Sequence, residues 1–387
     1  MTNKYIIFGI LVYFGLFFTC QSQEIQNNKF TLLDNKIDSM RIAFNFPAVA
    51  YGVIRNDSII ALNVLGYRDI ETKEKAQLTD YFHIGSNTKS FTAFLSGRLV
   101  DEGKINWGTK FFDLYPELKE NANPAYYDMT LQELLSHRAR LINFKHESEV
   151  PRIIAEYESG LKNGLSVSEK RYYLIKHILQ KEALPEYDKC DDFYSNAGFI
   201  AAGLMLEKVS GLKWEELMMN LSDQLNLDLH IGWPVDLDPK QPKGHINPKY
   251  WVLDIERDLV PISDQLRMYH SFNQCNLLTT PSGNLSIKTE KFLEYLRLHL
   301  AGIKGEDNYL KSETYKHILT TYSQYSHGWW VDNNDGVTEY AHRGSNGTFY
   351  SFAGFFPQRN TGIVVMINTY NESGLTDIIQ LISTTIK

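Results

Sequence analysis

The residues with the clearest chemical potential are Ser86 and Lys89, in His83-Ile84-Gly85-Ser86-Asn87-Thr88-Lys89-Ser90-Phe91-Thr92. A spacing of three puts a hydroxyl and an amine on one face of a helix, close enough to touch. A serine is a weak nucleophile until a neighbouring base takes its proton. A lysine can act as that base once burial or a nearby cation lowers its pKa. The start of a helix adds unpaired N–H groups and a positive dipole end, which suit a developing oxyanion. The chemistry to expect is acyl transfer through a serine ester.

Ser-x-x-Lys occurs twice more, at Ser159/Lys162 and Ser210/Lys213. Only Ser86 precedes a long apolar-periodic segment, with Phe91, Phe94, Leu95 and Leu99 in helical register and Gly103 placed to close it. An activated serine also needs a group to protonate the leaving atom and donors for the oxyanion. Asp191-Asp192-Phe193-Tyr194-Ser195-Asn196 contains the chain's single Tyr-x-Asn. Tyr194, as a phenol kept ionised by neighbouring cations, could relay protons. Asn196 could hold Lys89 or a substrate amide; the plainer reading is a turn tyrosine and a helix cap. His342-Arg343-Gly344-Ser345 leads into a glycine-bracketed strand. A cation at His342 would stabilise an ionised Tyr194 or a substrate carboxylate. Gly344 would let a ligand approach the strand edge. Against this stands the ordinary structural histidine before a turn.

The elements that must position these residues follow the chain order. Residues 27–44 read as an amphipathic helix with Phe30, Leu33, Ile37, Met40 and Phe44 on one side. Two strands follow at 49–54 and 59–65, joined by Arg55-Asn56-Asp57-Ser58. From 105 to about 260 the texture is helices and long polar loops. Thr130 and Glu133 form a capping-box pattern. Helices are expected at 150–158, 168–179 and 199–209, the last almost wholly apolar and stopped by Gly211. The Pro- and Lys-rich run 236–250 reads as an irregular loop. Strand character returns at 347–356 and 362–368 as a hairpin, and 375–386 reads as a closing helix. The order predicts an α+β fold: an antiparallel sheet built from both chain ends (about 23–104 and 270–387), flanked by helices, with a mainly helical region (about 105–269) inserted.

Length and composition agree with a large folded unit. The chain has 387 residues, 43% hydrophobic and 22% charged, and its net charge of −7 argues against nucleic acid as a partner. Residues 1–22 carry Lys4, the apolar run 5–18 and Thr19-Cys20-Gln21-Ser22, the pattern of an export signal. Two readings stand: cleavage with simple secretion, or a lipoprotein anchored at Cys20, which would be its one membrane attachment. Cys190 and Cys275 would be the remaining cysteines, with a disulfide and two buried thiols equally open. No C-x-x-C or H-E-x-x-H is present and the 11 histidines are scattered, so neither a metal nor another cofactor is expected.

Ser-x-x-Lys, Tyr-x-Asn and His-x-Gly, in that order across the chain, resemble the class C β-lactamase-related serine hydrolases, which include D,D-peptidases, D-aminopeptidases and esterases. Leu134-Leu135-Ser136-His137, Tyr194-Ser195-Asn196-Ala197-Gly198 and Ser326-His327-Gly328-Trp329 support the likeness, which covers about residue 27 to the C-terminus. The resemblance implies a β-lactamase/transpeptidase-like fold, with Ser86 acylated, Lys89 its base partner and Tyr194 a proton relay. It also implies Asn196 as an amide-binding group, His342 on the strand lining the cleft, and an oxyanion hole from the N–H groups of Ser86 and Ser345. Two departures stand out. His342-Arg343-Gly344 replaces Lys-Thr-Gly, which points from β-lactamase toward peptidase or aminopeptidase. Arg140 stands where relatives carry glycine, in a segment expected to be a solvated loop.

The implied function is a secreted serine hydrolase, periplasmic or a lipoprotein of the outer membrane. It would act on small peptide, ester or β-lactam-like substrates, D-amino-acid or peptidoglycan-like peptides first. The alternatives are a true β-lactamase and a non-catalytic envelope protein that binds peptides or glycans.

Overall fold

The computed structural model describes residues 30–142, 155, 164–185, 193–246, 259–263 and 278–386. The expected export signal with Cys20, Cys190 and Cys275, the Ser159/Lys162 pair and all but one residue of the helix expected at 150–158 lie outside the described residues.

Residues 30–43 form helix α1, and β1 (Ala48–Arg55) and β2 (Ser58–Gly66) follow as a hairpin. Its turn uses Asn56 and Asp57, both at positive φ (47° and 64°), a conformation their short polar side chains tolerate. At the other end of the chain lie β8 (Tyr325–Ser326), β9 (Trp329–Asn334), β10 (Val337–Ser345), β11 (Tyr350–Phe356) and β12 (Thr361–Ile367). The seven strands make one antiparallel sheet in the order β2-β1-β12-β11-β10-β9-β8. The expected sheet from both chain ends is therefore observed, and the β1–β12 pairing closes it (Val49 opposite Ile367, Arg55 opposite Thr361).

Alternation assigns the two faces of this sheet. Val49, Tyr51, Val53, Ile363, Val365 and Ile367 point outward and pack with Leu33 and Ile37 of α1. The same cluster takes in Leu375, Ile378 and Ile382 of the C-terminal helix, Glu372–Thr385. Ala48, Ala50, Val364, Met366, Ala353 and Phe355 point inward to the larger core. There they meet α2 (Thr88–Asp101) and the helix Thr289–Ile303. Phe91 of α2 stacks on Tyr295 at 3.9 Å between ring centroids. Apart from Arg98, Val100 and Asp101, every residue of α2 is buried. Gly103, at φ +71°, stands just beyond its end as anticipated.

The central part is mostly helical where described: α3 (Leu131–Leu135), α4 (Val167–Ile178), α5 (Asn196–Ser210) and α6 (Trp214–Leu225). The capping box of Thr130 with Glu133 is formed, and a second, Ser166 with Glu169, opens α4. Helix α5 is buried nearly all round and stops at Gly211 in the left-handed conformation (φ +74°). The described part of the run 236–250 is irregular over 238–244, but Asp236 and Leu237 end a short helix, Pro234–Leu237, and β5 (His245–Ile246) pairs with β6 (Val260–Pro261).

Candidate active site

Strand β3 (Tyr81–His83) runs antiparallel to β7 (Leu285–Lys288), whose other edge pairs with β4 (His230–Ile231), and delivers the chain to a 3-10 turn, Gly85–Asn87, that leads directly into α2. Ser86 is the middle residue of that turn. The turn is tied down on every side. Ile84 N–H donates to Leu285 O (2.8 Å), Thr88 Oγ1 donates to Gly85 O (2.7 Å) and Asn87 Nδ2 donates to Ser351 Oγ (2.8 Å). Ser351 in turn donates to Ile84 O at 2.8 Å. A serine held on this junction has little freedom to swing away.

Gly344 and Gly85 let β10 press against this turn. A Cβ at position 344 would stand 2.6 Å from Ser86 N and 2.8 Å from Asn87 N, and closer still to Ile84 O. Gly85 sits at φ +50°, and a Cβ there would meet the backbone of Gly344 and Ser345. The backbone N–H groups of Ser86 and Ser345 thus lie on opposite sides of one tight contact. The β10–β11 turn is braced by Ser345 Oγ, which donates to Phe349 O and accepts from Gly347 N–H, both at 2.8 Å.

Lys89, one helical turn after Ser86, is fully buried. Its Nζ lies 3.2 Å from Ser86 Oγ, 2.8 Å from Asn196 Oδ1 and 2.7 Å from the carbonyl of Ser282. The ring of Tyr194 is 4.7 Å and that of Phe199 5.6 Å from the same nitrogen. Asn196 is the first residue of α5, so the buried helix aims its N-terminal amide at the lysine. Burial holds the Lys89 amine well below the ordinary lysine range. Ser86, Lys89, Tyr194 and Asn196, far apart in sequence, come together here.

Two expectations about charge need correction. Burial pushes the Tyr194 phenol above its ordinary range, and its hydrogen bond with Ser86 opposes this only in part, so the phenol stays protonated rather than ionised. His342 reaches the same cluster, its ring 6.1 Å from that of Tyr194, but it is not a cation. Burial first, and the nearby Lys89 second, lower its pKa to about 3. Its Nδ1 lies 2.6 Å from Arg343 O and so carries the proton, which leaves Nε2 to accept from Tyr325 O–H at 3.1 Å.

Three groups with no role expected from sequence also join the cluster. His137 lies with its ring 4.4 Å from both Tyr194 and Tyr325, and its Nδ1 accepts Ser195 N–H at 3.1 Å. Burial holds it neutral as well. Its Ser-His context was visible in sequence, but its position between two tyrosines was not. Tyr325 stands next to the Ser326-His327-Gly328-Trp329 segment, and Gly328 brings that turn against the Lys89 backbone. The Ser282 carbonyl carries no side-chain signature at all.

The arginine-bearing segment is also not a solvated loop. Arg140 occupies a left-handed position (φ +59°), a conformation that favours glycine, and donates from Nε to Leu184 O at 2.6 Å. Arg138 donates to Ser136 O (3.1 Å) and Tyr325 O (3.3 Å) and lies 3.7 Å over the Tyr322 ring. Both fasten the loop behind His137. The competing Ser210/Lys213 pair is split by Gly211: Ser210 ends α5 and Lys213 precedes α6, so the two share no helix face.

Comparison with known proteins agrees with this architecture. The Beta-lactamase family profile matches residues 33–383. Protein flp of Staphylococcus aureus (strain NCTC 8325 / PS 47) is 23% identical over 336 residues, 85% of this chain and 61% of its own length. The chain therefore spans about three fifths of that relative. Penicillin-binding protein 4 of Amycolatopsis lactamdurans is 21% identical over 360 residues, 86% of this chain and 83% of its own length. The octameric penicillin-binding protein homologue from Pyrococcus abyssi superposes with a TM-score of 0.71 at 22% identity, covering 91% of this chain and 77% of that one. The fold is that of β-lactamases and transpeptidases.

Proposed function

This chain belongs to the Beta-lactamase family, and from that premise we propose that it is an exported serine hydrolase that turns over an amide or ester through an acyl-enzyme on Ser86. The observation that carries the reading is the buried Lys89 amine, its pKa depressed, 3.2 Å from Ser86 Oγ and held by two further acceptors. A neutral amine in hydrogen-bond reach of a serine can take its proton at neutral pH. In this scheme Ser86 Oγ attacks the substrate carbonyl and its proton passes to Lys89. The N–H groups of Ser86 and Ser345 hold the oxyanion. Tyr194, a protonated phenol hydrogen-bonded to Ser86, passes a proton to the departing amine or alkoxide and is reprotonated from Lys89. Water, deprotonated by the same pair, then releases the acyl group.

Small D-amino-acid or peptidoglycan-like peptides and esters are the proposed substrates, in keeping with relatives described as penicillin-binding proteins. His342-Arg343-Gly344 in place of Lys-Thr-Gly favours a peptidase or esterase over a dedicated β-lactamase. The proposed location is the periplasm or, through Cys20, the outer membrane. A non-catalytic binding role is disfavoured, since binding alone has no use for a deprotonated lysine beside a serine. Intact-protein mass spectrometry after exposure to a β-lactam and, separately, an activated D-alanyl ester tests the reading. It expects acyl mass on wild type and none on Ser86→Ala, with slow release of the β-lactam adduct and fast release of the D-alanyl group. Absence of any Ser86 adduct from either reagent, or from a fluorophosphonate, would overturn it.

A further inference from the structure

Arg171 is a fully buried cation to which the acyl-transfer scheme gives no part. It lies on α4 and reaches three other elements. Nη1 lies 2.8 Å from Glu207 Oε1 on α5 and 3.2 Å from Glu215 Oε2 on α6. Nη2 bonds to Glu215 Oε1 and to Thr280 Oγ1, and Nε donates to Leu278 O at 3.2 Å. Thr280 Oγ1, accepting from the arginine, donates onward to Glu215 Oε1 at 2.9 Å. Although burial pushes the Glu215 carboxyl up, the hydrogen bond and charge of Arg171 hold it below the ordinary carboxylate range.

Removing an arginine from water is expensive, and a buried ion cluster is weak evidence of a stability function, since apolar packing does that work as well or better. What this cluster does is geometric. Lys89 has two acceptors besides Ser86. One, Asn196 Oδ1, is at the start of α5, the helix that Arg171 grips through Glu207. The other, the Ser282 carbonyl, belongs to the turn Thr280–Gly283, which Arg171 grips through Thr280. That turn is fixed from its far side too, where Thr92 Oγ1 of α2 donates to Pro281 O at 2.7 Å. Pro281 fits against Gly203 of α5, where a Cβ would come to 2.7 Å of its ring. Helix α5 spans about 16 Å between Asn196 and Glu207 at 1.5 Å per residue, and a buried helix transmits that placement rigidly.

We propose that Arg171, acting through Thr280, is a positioning residue that sets the separation of the two acceptors of Lys89 and so holds its amine in line with Ser86. The proposal rests on the reading of Lys89 as the base. It names a residue on a helix that contributes nothing else to the site.

Thr280→Val is the informative variant, because it removes one hydroxyl and leaves Arg171, Glu207 and Glu215 in place. Arg171→Lys and Thr280→Ser accompany it. The measurements are the fluorophosphonate labelling rate of Ser86 against pH, the saturation constant for a p-nitrophenyl ester, and thermal unfolding. A fourth follows the titration of Lys89 by NMR of ¹³Cε-labelled lysine in a Ser86→Ala background. Thr280→Val is expected to label about tenfold more slowly with an unchanged saturation constant. The Lys89 midpoint should move by half a pH unit or more, and Thr280→Ser should restore both. Wild-type rate and midpoint in Thr280→Val, measured well below its melting temperature, would make the cluster purely structural and overturn the proposal. Unlabelled wild type would instead remove the acyl-enzyme reading, and the Lys89 titration would still report whether Thr280 governs that amine.

Discussion

Replacing Gly344 by alanine tests the whole placement of Ser86 with one carbon atom. The added methyl would lie 2.6 Å from Ser86 N and 2.8 Å from Asn87 N, and closer still to Ile84 O. Ordinary contact begins near 3.4 Å and the Ile84 carbonyl oxygen would stand at 1.9 Å, so β10 and the Ser86 turn must part by roughly 1–1.5 Å. All the opposing atoms are backbone, held by the bonds of Thr88, Asn87 and Ser351, so no flexible side chain can absorb the shift. A misplacement of that size costs on the order of a hundredfold in rate, or about 2.7 kcal/mol of barrier. The same motion separates the N–H groups of Ser86 and Ser345, so the loss should fall on acylation more than on binding. The assay is the rate of Ser86 labelling by a fluorophosphonate and of p-nitrophenyl ester acylation, with thermal unfolding measured beside them. Gly108→Ala is the control, because a Cβ there meets nothing within 4 Å. A Gly344→Ala variant that folds normally and acylates within threefold of wild type would refute the claim that this contact sets the site.

Other variants probe protonation and burial. Tyr194→Phe keeps the ring beside Lys89 but removes the phenolic oxygen on Ser86; acylation should drop by about 10²–10⁴ with little change in melting temperature. Asn196→Ala deprives the Lys89 amine of a 2.8 Å partner, and a loss of roughly tenfold or more in the same labelling assay is expected. His299 is buried among aromatic rings with neither nitrogen hydrogen-bonded, so His299→Phe should stabilise the protein by about 1–3 kcal/mol in urea titrations. Burial lowers the pKa of His83 and His245 to about 4 and of His299, His327 and His342 to about 3. Between those values and 6.5 the unfolded chain binds protons that the folded one refuses, so stability is full above about pH 6.5 and falls as pH drops toward 3–4. Each histidine contributes at most about 1.36 kcal/mol per pH unit; a urea midpoint unchanged from pH 7 to pH 5 would contradict this.

Local rules made much of the chain legible in its sequence. Ser86 and Lys89 had to share a helix face because three residues are almost one turn, and the capping box at Thr130 and the glycine stop at Gly211 follow from backbone hydrogen-bonding needs. Apolar runs bounded by turn residues at both ends of the chain marked an antiparallel sheet, and the continuity of the runs fits strands buried on both faces. Tertiary structure decided what spacing cannot encode. Whether Tyr194 is ionised and His342 charged depends on how much water is excluded around them, and exclusion is a property of the packed whole. The Ser282 carbonyl, a main-chain atom like any other in sequence, becomes a lysine acceptor because Arg171, Thr92 and Gly203 fix the turn that carries it. Residue type and spacing chose the serine and its lysine; burial and long-range contacts set their protonation and their aim.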